Sequence, residues 1–392
     1  MGLLFAFFGV ARVFGGFLRS SYWAILFFSI GFFVLYNYLK SSKFKMDFIG
    51  VLFVIYLFVN VLITRPPSVF QPELRFLLFS FLLFIVSPII QNKNLRVFRL
   101  RSLDLMMIIF VIISSISFFC YFLGINWMLN QTTNDDLYDD YSVSEGAGHF
   151  GGITNHSMTL GFISGIAVCY MLCRFLTYKR KLSLVPLICC MGSLLFASSR
   201  VALGATIIGC LVFIIRNSRS RLGFLKTIIL FVVGFIITLP LWVGALSGIV
   251  AKQSGRGDLS EMGGRIGQVE ARIEEFADHP IIGIGFASVD PQKSHVGESG
   301  NIEPGPSWLT VLSMTGIIGM IIVVIYVYNS FSSLKELGKN LPQKALLSAL
   351  LVFMIVHLFV EGYIFSGGSL QCSILWLIIG VSRDSKYLQD NI

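Results

Sequence analysis

The chain has 392 residues, 55% of them hydrophobic, 14% aromatic and only 13% charged, with a mean hydropathy of +0.79. That is too apolar for a soluble globular domain and points to an integral membrane protein. The formal net charge of +9 would suit a nucleic-acid binder, but the Lys and Arg residues sit in short clusters beside hydrophobic runs and read as topology signals, so no nucleic-acid partner is expected.

Crossing a hydrocarbon core of about 30 Å takes about 20 helical residues, and a helix satisfies its own backbone, so an all-α bundle is expected. The first apolar run, Leu3–Leu18, contains Arg12 and fits either a crossing or an interfacial segment. It runs on without a small-residue cleavage site, so no cleavable signal peptide is expected. Tyr22–Leu39, Phe48–Thr64, Arg75–Ile90 and Leu105–Leu123 are the next spans, and after a polar loop comes Ile153–Phe175. Leu184–Ala197 and Val201–Ile215 follow, separated only by Ser198-Ser199-Arg200, and then Thr227–Leu246. Beyond a second, larger polar loop the segment SWLTVLSMTGIIG opens another span, and Ala345–Ile364 follows it. Placing the basic clusters Lys40–Lys45, Lys93–Arg101, Lys179–Lys181, Arg216–Lys226, Lys335–Lys344 and Arg383–Lys386 inside gives about twelve crossings with both termini cytoplasmic. All seven cysteines fall inside predicted spans and read as packing residues, without disulfide or metal spacing.

Two sizeable loops then face outward. The first, 124–152, holds NQTTNDDLYDDYSVSEGAGHFGG. Its carboxylates beside Tyr138 and Tyr141 suit the hydroxyls and faces of sugars, yet an acidic outward loop is also what the positive-inside bias leaves behind. His156, just after it, joins the substrate-binding candidates. Asp135-Asp136 and Asp139-Asp140 are the only carboxylate pairs a metal would use, and without neighbouring ligands neither a metal nor another cofactor is expected.

The second loop, 249–306, carries GGRIGQVEARIEEFADHPIIGIGF and then SHVGESGNIEPGPSWL. Within it Glu261–Ala277 has helical periodicity, with Ile266, Val269, Ile273 and Phe276 in one stripe. Arg265 and Arg272, seven apart, share a face at the stripe's edge, so a helix on the membrane surface would aim two guanidinium groups toward the bundle. Asp278-His279-Pro280 ends the helix, since proline cannot continue it, and Gly283 and Gly285 suit a tight re-entry.

Arg200 tops the short hairpin, where a snorkelling interfacial arginine and a ligand-binding arginine are both compatible with the sequence. Arg200, Arg265 and Arg272 all face outward, where the topology bias depletes arginine; Arg65 and Arg75 do so too, which dilutes the signal. The cluster argues for an anionic ligand such as a phosphate, which arginine grips bidentately. His357 and Glu361 lie at i, i+4 in the span Ala345–Ile364. An ionisable group at the membrane centre costs about 2.5–3.5 kcal/mol on insertion scales, which makes both functional candidates. Glu361 fits a general base with a carboxyl raised by partial burial, or a group that simply reaches interfacial water, with His357 bonding a neighbouring helix.

The order of these features resembles the O-antigen ligase and polymerase superfamily: Ser198-Ser199-Arg200 opening a span, a large outward loop with Arg265 followed by DHPIIGIGF, then SWLTVLSMTGIIG. The resemblance covers mainly the part of the chain from about Gly151 onward. It implies a GT-C-like glycosyltransferase in a bacterial cytoplasmic membrane, using undecaprenyl-diphosphate-linked glycans as donor and acceptor, without nucleotide sugars or metal. Arg200 and Arg265 match the family's arginines that hold the donor diphosphate, with Arg272 assisting. Ligases of the family carry a His-Asn-type pair just before Gly316-Ile317-Ile318-Gly319, and that slot here is Gly305-Pro306. The missing histidine favours a polymerase, which joins repeat units, over a ligase, which transfers the chain to a lipid core; His295 lies upstream in the same loop. Candidates for the base are Glu361, Glu303 and His295. A polysaccharide chain-length regulator is the protein partner the resemblance implies. A flippase or other transporter is the rival, but such folds usually show two related halves, and no internal repeat is found.

Overall fold

The computed structural model describes residues 20–40, 45–126, 150–179, 181–218, 259–293, 305–336 and 342–384, with the side chains of 20–26, 37–39, 259–266 and 336 left out. The expected spans Leu3–Leu18 and Thr227–Leu246 lie outside the described residues, as do Tyr138, Tyr141, His295 and Glu303. Among the described residues there are eleven α-helices: α1 (Ser20–Lys40), α2 (Phe48–Thr64), α3 (Pro72–Val86), α4 (Lys93–Phe122), α5 (Ser157–Tyr178), α6 (Leu184–Phe196), α7 (Arg200–Asn217), α8 (Leu259–Asp278), α9 (Ser307–Glu336), α10 (Pro342–His357) and α11 (Leu370–Asp384). Two short strands, β1 (Lys45–Met46) and β2 (Ile90–Gln91), pair antiparallel with Lys45 opposite Gln91. Among the described residues five helices are long and apolar enough to cross a membrane: α3 with the turn before it, α4, α5, α7 and α9, while α2, α6 and α10 are shorter apolar helices. The protein is an all-α membrane protein.

Local chemistry sets the helix ends. Asp47 caps α2 by accepting from the Gly50 N–H, and Asn92 caps α4 by accepting from Asn94 and Leu95. Pro72 opens α3, where its missing N–H costs nothing. Helix α5 lies at the centre, with 78% of its apolar window buried. Gly161 and Gly165 face α7, where a Cβ at Gly165 would collide with Thr206 and Phe353, so small residues let α5, α7 and α10 approach closely. The seven cysteines are all buried within helices.

Three boundaries differ from the sequence expectation. The basic cluster Lys93–Arg101 is helical, the first turns of a 30-residue α4 that is about 45 Å long at 1.5 Å per residue. Arg99 within it is fully buried, donating to the carbonyls of Ile85 and Ile90 and to Asp384, so it is a structural pin and not a solvated topology charge. The run SWLTVLSMTGIIG is broken inside α9 at Gly316, whose φ of +61° and ψ of −167° are non-helical. The span Ala345–Ile364 stops at His357: Leu358–Val360 form a turn, and Glu361 stands off the helix.

At one end of the bundle β1, β2 and the helix ends around them enclose a charge cluster. Arg383 forks onto Asp47 at 2.7 and 2.9 Å and lies over the Tyr326 ring, 4.9 Å from its centroid. Asp384 takes Arg99 and, at 3.5 Å, Arg96. The opposite end gathers the starts of α5, α7 and α9 with the end of α10.

Candidate functional site at the Arg200 end of the bundle

Arg200 is the first residue of α7. The hairpin that presents it turns on Ser198, in the left-handed region at φ +51°, and on an extended Ser199 with no side-chain cap. The Arg200 side chain is exposed. Among the described residues it has neither a hydrogen bond nor an ion pair. A guanidinium there adds to the positive end of the helix macrodipole, an arrangement that is unfavourable alone and favourable with an anion.

Helix α8 is the amphipathic helix of the large loop, and its bounds, Leu259–Asp278, enclose the expected Glu261–Ala277. It packs on α9, but with a face other than the apolar stripe. Ala271, Arg272 and Glu275 are buried, whereas Ile273 is half exposed and Val269 and Phe276 are partly buried. Arg272 does point to the bundle, as expected, yet it ion-pairs with Glu275 at 2.7 Å and reaches Ser313. Desolvation lowers the Arg272 guanidinium and raises the Glu275 carboxyl, in each case against the attraction of the partner. Glu275 also accepts from the Asp290 N–H at 2.8 Å. Its charge is matched internally, and it fixes α8 to α9. The signal was present in the sequence as Arg272 and Glu275 at i, i+3. Arg265 is described only in its backbone, two turns before Arg272 on the same helix face.

The segment after α8 is zipped into the break in α9. Ile284 and Gly285 N–H groups donate to the carbonyls of Ser313 and Met314, and Ile317 donates back to Pro280. The left-handed Gly283 and Gly316 permit this contact, since a Cβ on either would strike a carbonyl of the other strand, Met314 or Ile281. Asn60 of α2 clamps the segment, donating from Nδ2 to the Ile282 carbonyl at 2.6 Å and accepting from the Phe286 N–H at 2.7 Å. Nothing in the sequence singled out Asn60; an amide inside an apolar span was the available sign.

The start of α9 meets the end of α10. Ser307 N–H donates to the carbonyls of Leu358 and Glu361, its hydroxyl donates to the Glu361 carbonyl, and it accepts from Tyr363 N–H. Gly305, in the slot where a ligase histidine falls, has φ +70°, and a Cβ there would stand 3.3 Å from Gln268 of α8. A larger side chain is disfavoured at that position by backbone and by space. His357 is buried among Phe162, Phe353 and Tyr363. Glu361 is half-buried. His156 accepts the Met158 N–H on Nδ1 at 3.0 Å and so caps α5.

Arg200, His357, Glu361 and the start of α9 thus share one end of the bundle, and Gln268 beside Gly305 brings α8, three residues after Arg265, to the same place. Among the described residues no group of three His, Cys, Asp or Glu side chains could hold a metal ion.

Residues 182–324, spanning the Arg200 hairpin, α8 and the broken α9, match the family model described as O-antigen ligase. No curated protein matches the chain.

Proposed function

With residues 182–324 matching the family model described as O-antigen ligase, we propose that the protein is a glycosyltransferase of the GT-C kind that joins lipid-linked oligosaccharide repeat units into a surface polysaccharide. The superfamily implies lipid-linked glycans and membrane lipid as its substrates and surroundings. The finer reading is a polymerase working on undecaprenyl-diphosphate-linked chains at the outer side of the cytoplasmic membrane, without metal or other cofactor. The donor diphosphate lies between Arg200 and Arg265, whose charge-assisted hydrogen bonds, about 1.5–3 kcal/mol each, stabilise the charge that builds up as the sugar leaves. A hydroxyl of the incoming unit attacks the anomeric carbon while a base at the same end takes its proton. Glu361, Glu303 and His295 are the candidates named by sequence.

The observation that carries this reading is Arg200: an exposed guanidinium on a helix N-terminus, inside the matched domain, with no counter-ion among the described residues. Gly305 in the ligase histidine's slot, on a backbone that favours glycine, supports polymerase over ligase. The description of the matching family favours the second reading, a ligase that passes the glycan to a lipid core. Lipid-linked glycan length in cells making Arg265→Ala separates them. A polymerase defect leaves single repeat units on the carrier, a ligase defect leaves long chains there, and a flippase defect traps single units on the cytoplasmic face. Unaltered chain-length distributions would rule out the enzyme reading.

A further inference from the structure

Among the side-chain polar atoms at the Arg200 end that are wholly buried and hydrogen-bond nothing among the described residues, two belong to neighbouring rings: Nδ1 of His357 and the hydroxyl of Tyr363. Their rings stand 5.6 Å apart, centroid to centroid. Phe162 packs edge-on to the imidazole at 5.2 Å and Phe353 stacks on it at 5.7 Å, so apolar rings line the rest of the niche. An orphaned buried donor or acceptor is costly, and two on adjoining rings call for a partner group that satisfies both. Their capacities define it. A neutral imidazole nitrogen accepts, a phenol donates, and a hydroxyl is the smallest group that answers both at once. A neutral sugar hydroxyl therefore belongs here, and the phosphate at Arg200.

The geometry points to His357 and Tyr363 as the seat of the attacking sugar hydroxyl, with Tyr363 donating to its oxygen and Nδ1 of His357 removing its proton. This assignment rests on the glycosyl-transfer reading above. In the step, the O–H bond breaks as the Nδ1–H bond forms, and the freed lone pair makes the new bond to the anomeric carbon. The bond from that carbon to the diphosphate oxygen breaks, its electron pair leaving on the diphosphate beside Arg200. The imidazolium then releases its proton to water. The hydroxyl enters from the side of Glu361 and Gly362, which are only half-buried and lie off the helix. Catalysis by a positioned base contributes typically 10²–10⁴-fold. The phenol's hydrogen bond accounts for about tenfold.

The test uses the full chain in nanodiscs, with His357→Gln, Tyr363→Phe and Arg200→Ala. One readout is binding of undecaprenyl diphosphate alone, and the other is elongation of lipid-linked repeat units extracted from cells that make the polymer. His357→Gln is expected to bind the probe like the wild type and to lose elongation by about 10²–10⁴-fold. Tyr363→Phe is expected to bind normally and elongate about tenfold more slowly. Elongation at the wild-type rate in either variant overturns the assignment, and an altered melting temperature with intact elongation does so too, marking a niche for a structural water. Arg200→Ala that still binds and elongates overturns the diphosphate reading instead, so the two failures are distinguishable. Where His357→Gln does not fold, Tyr363→Phe, which removes one oxygen, decides alone.

Discussion

The two ends of the bundle treat their charges in opposite ways. At one end Arg96, Arg99 and Arg383 are matched by Asp47 and Asp384, Arg99 being fully buried, its guanidinium donating to carbonyls of α3 and β2 and to the Asp384 carboxylate of α11. At the other end Arg200 stands exposed on a helix N-terminus with no counter-ion among the described residues, while His357 and Tyr363 keep buried polar atoms unpartnered. Matched charges hold elements together; unmatched polar groups, kept at a cost in stability, are available to a ligand. Arg272 shows that the distinction follows partners and not location, because it lies on the helix of Arg265 and yet is paired with Glu275.

The sharpest way to break this comparison is to remove one side of the matched cluster. Arg99→Met leaves the buried Asp384 with the longer 3.5 Å contact to the partly exposed Arg96 as its ion pair, and losing one partner of a buried pair costs about 3–5 kcal/mol. Thermal unfolding in detergent should show a large drop for Arg99→Met and substantial recovery in Arg99→Met/Asp384→Leu. A single variant as stable as the wild type would mean the cluster is not what pins this end. Arg200→Ala should behave in the opposite manner. Removing one donor that meets developing charge lowers turnover by about 10²–10³-fold, so elongation should collapse while the melting temperature stays or rises slightly. Loss of stability in Arg200→Ala would place Arg200 with the matched charges. The smallest effect is expected at Lys293, which bridges Glu274 and Asp278 on the exposed surface of α8. Its hydrogen bond and charge hold the Asp278 carboxyl below its usual value. That contribution is present above the unfolded carboxyl's titration and is lost as the pH falls through the folded one. Exposed pairs contribute little, so Lys293→Ala should leave the melting temperature unchanged at neutral and at acidic pH; a pH-dependent shift would show that the α8 surface is more buried than its side chains indicate.

How much was legible varies by element. The hairpin at Ser198–Arg200, the helix in the large loop and its stop at Asp278-His279-Pro280 followed from periodicity and breakers, which are local properties. The apolar stripe of α8 was legible, but the side that packs was not. Arg272 and Glu275 go inward because each supplies the other's counter-charge and Asp290 and Ser313 complete their bonds. The break at Gly316 was invisible because SWLTVLSMTGIIG is as apolar as any span, and only the carbonyls of Pro280 and Ile281, brought from another segment, satisfy the N–H groups that the break would strand. Tyr363 was passed over because an apolar segment containing one tyrosine reads as core.

The sequence by itself determined that this is a multi-pass helical membrane protein interrupted by polar segments, since hydrophobic length and breaker positions are written residue by residue. Tertiary structure alone decided which charged residues are free to act. Whether a guanidinium, an imidazole or a phenol has a partner depends on groups tens or hundreds of positions away, such as Asp384 for Arg99 and Asn60 for the loop at Ile282. Hydropathy and spacing do not encode those pairings.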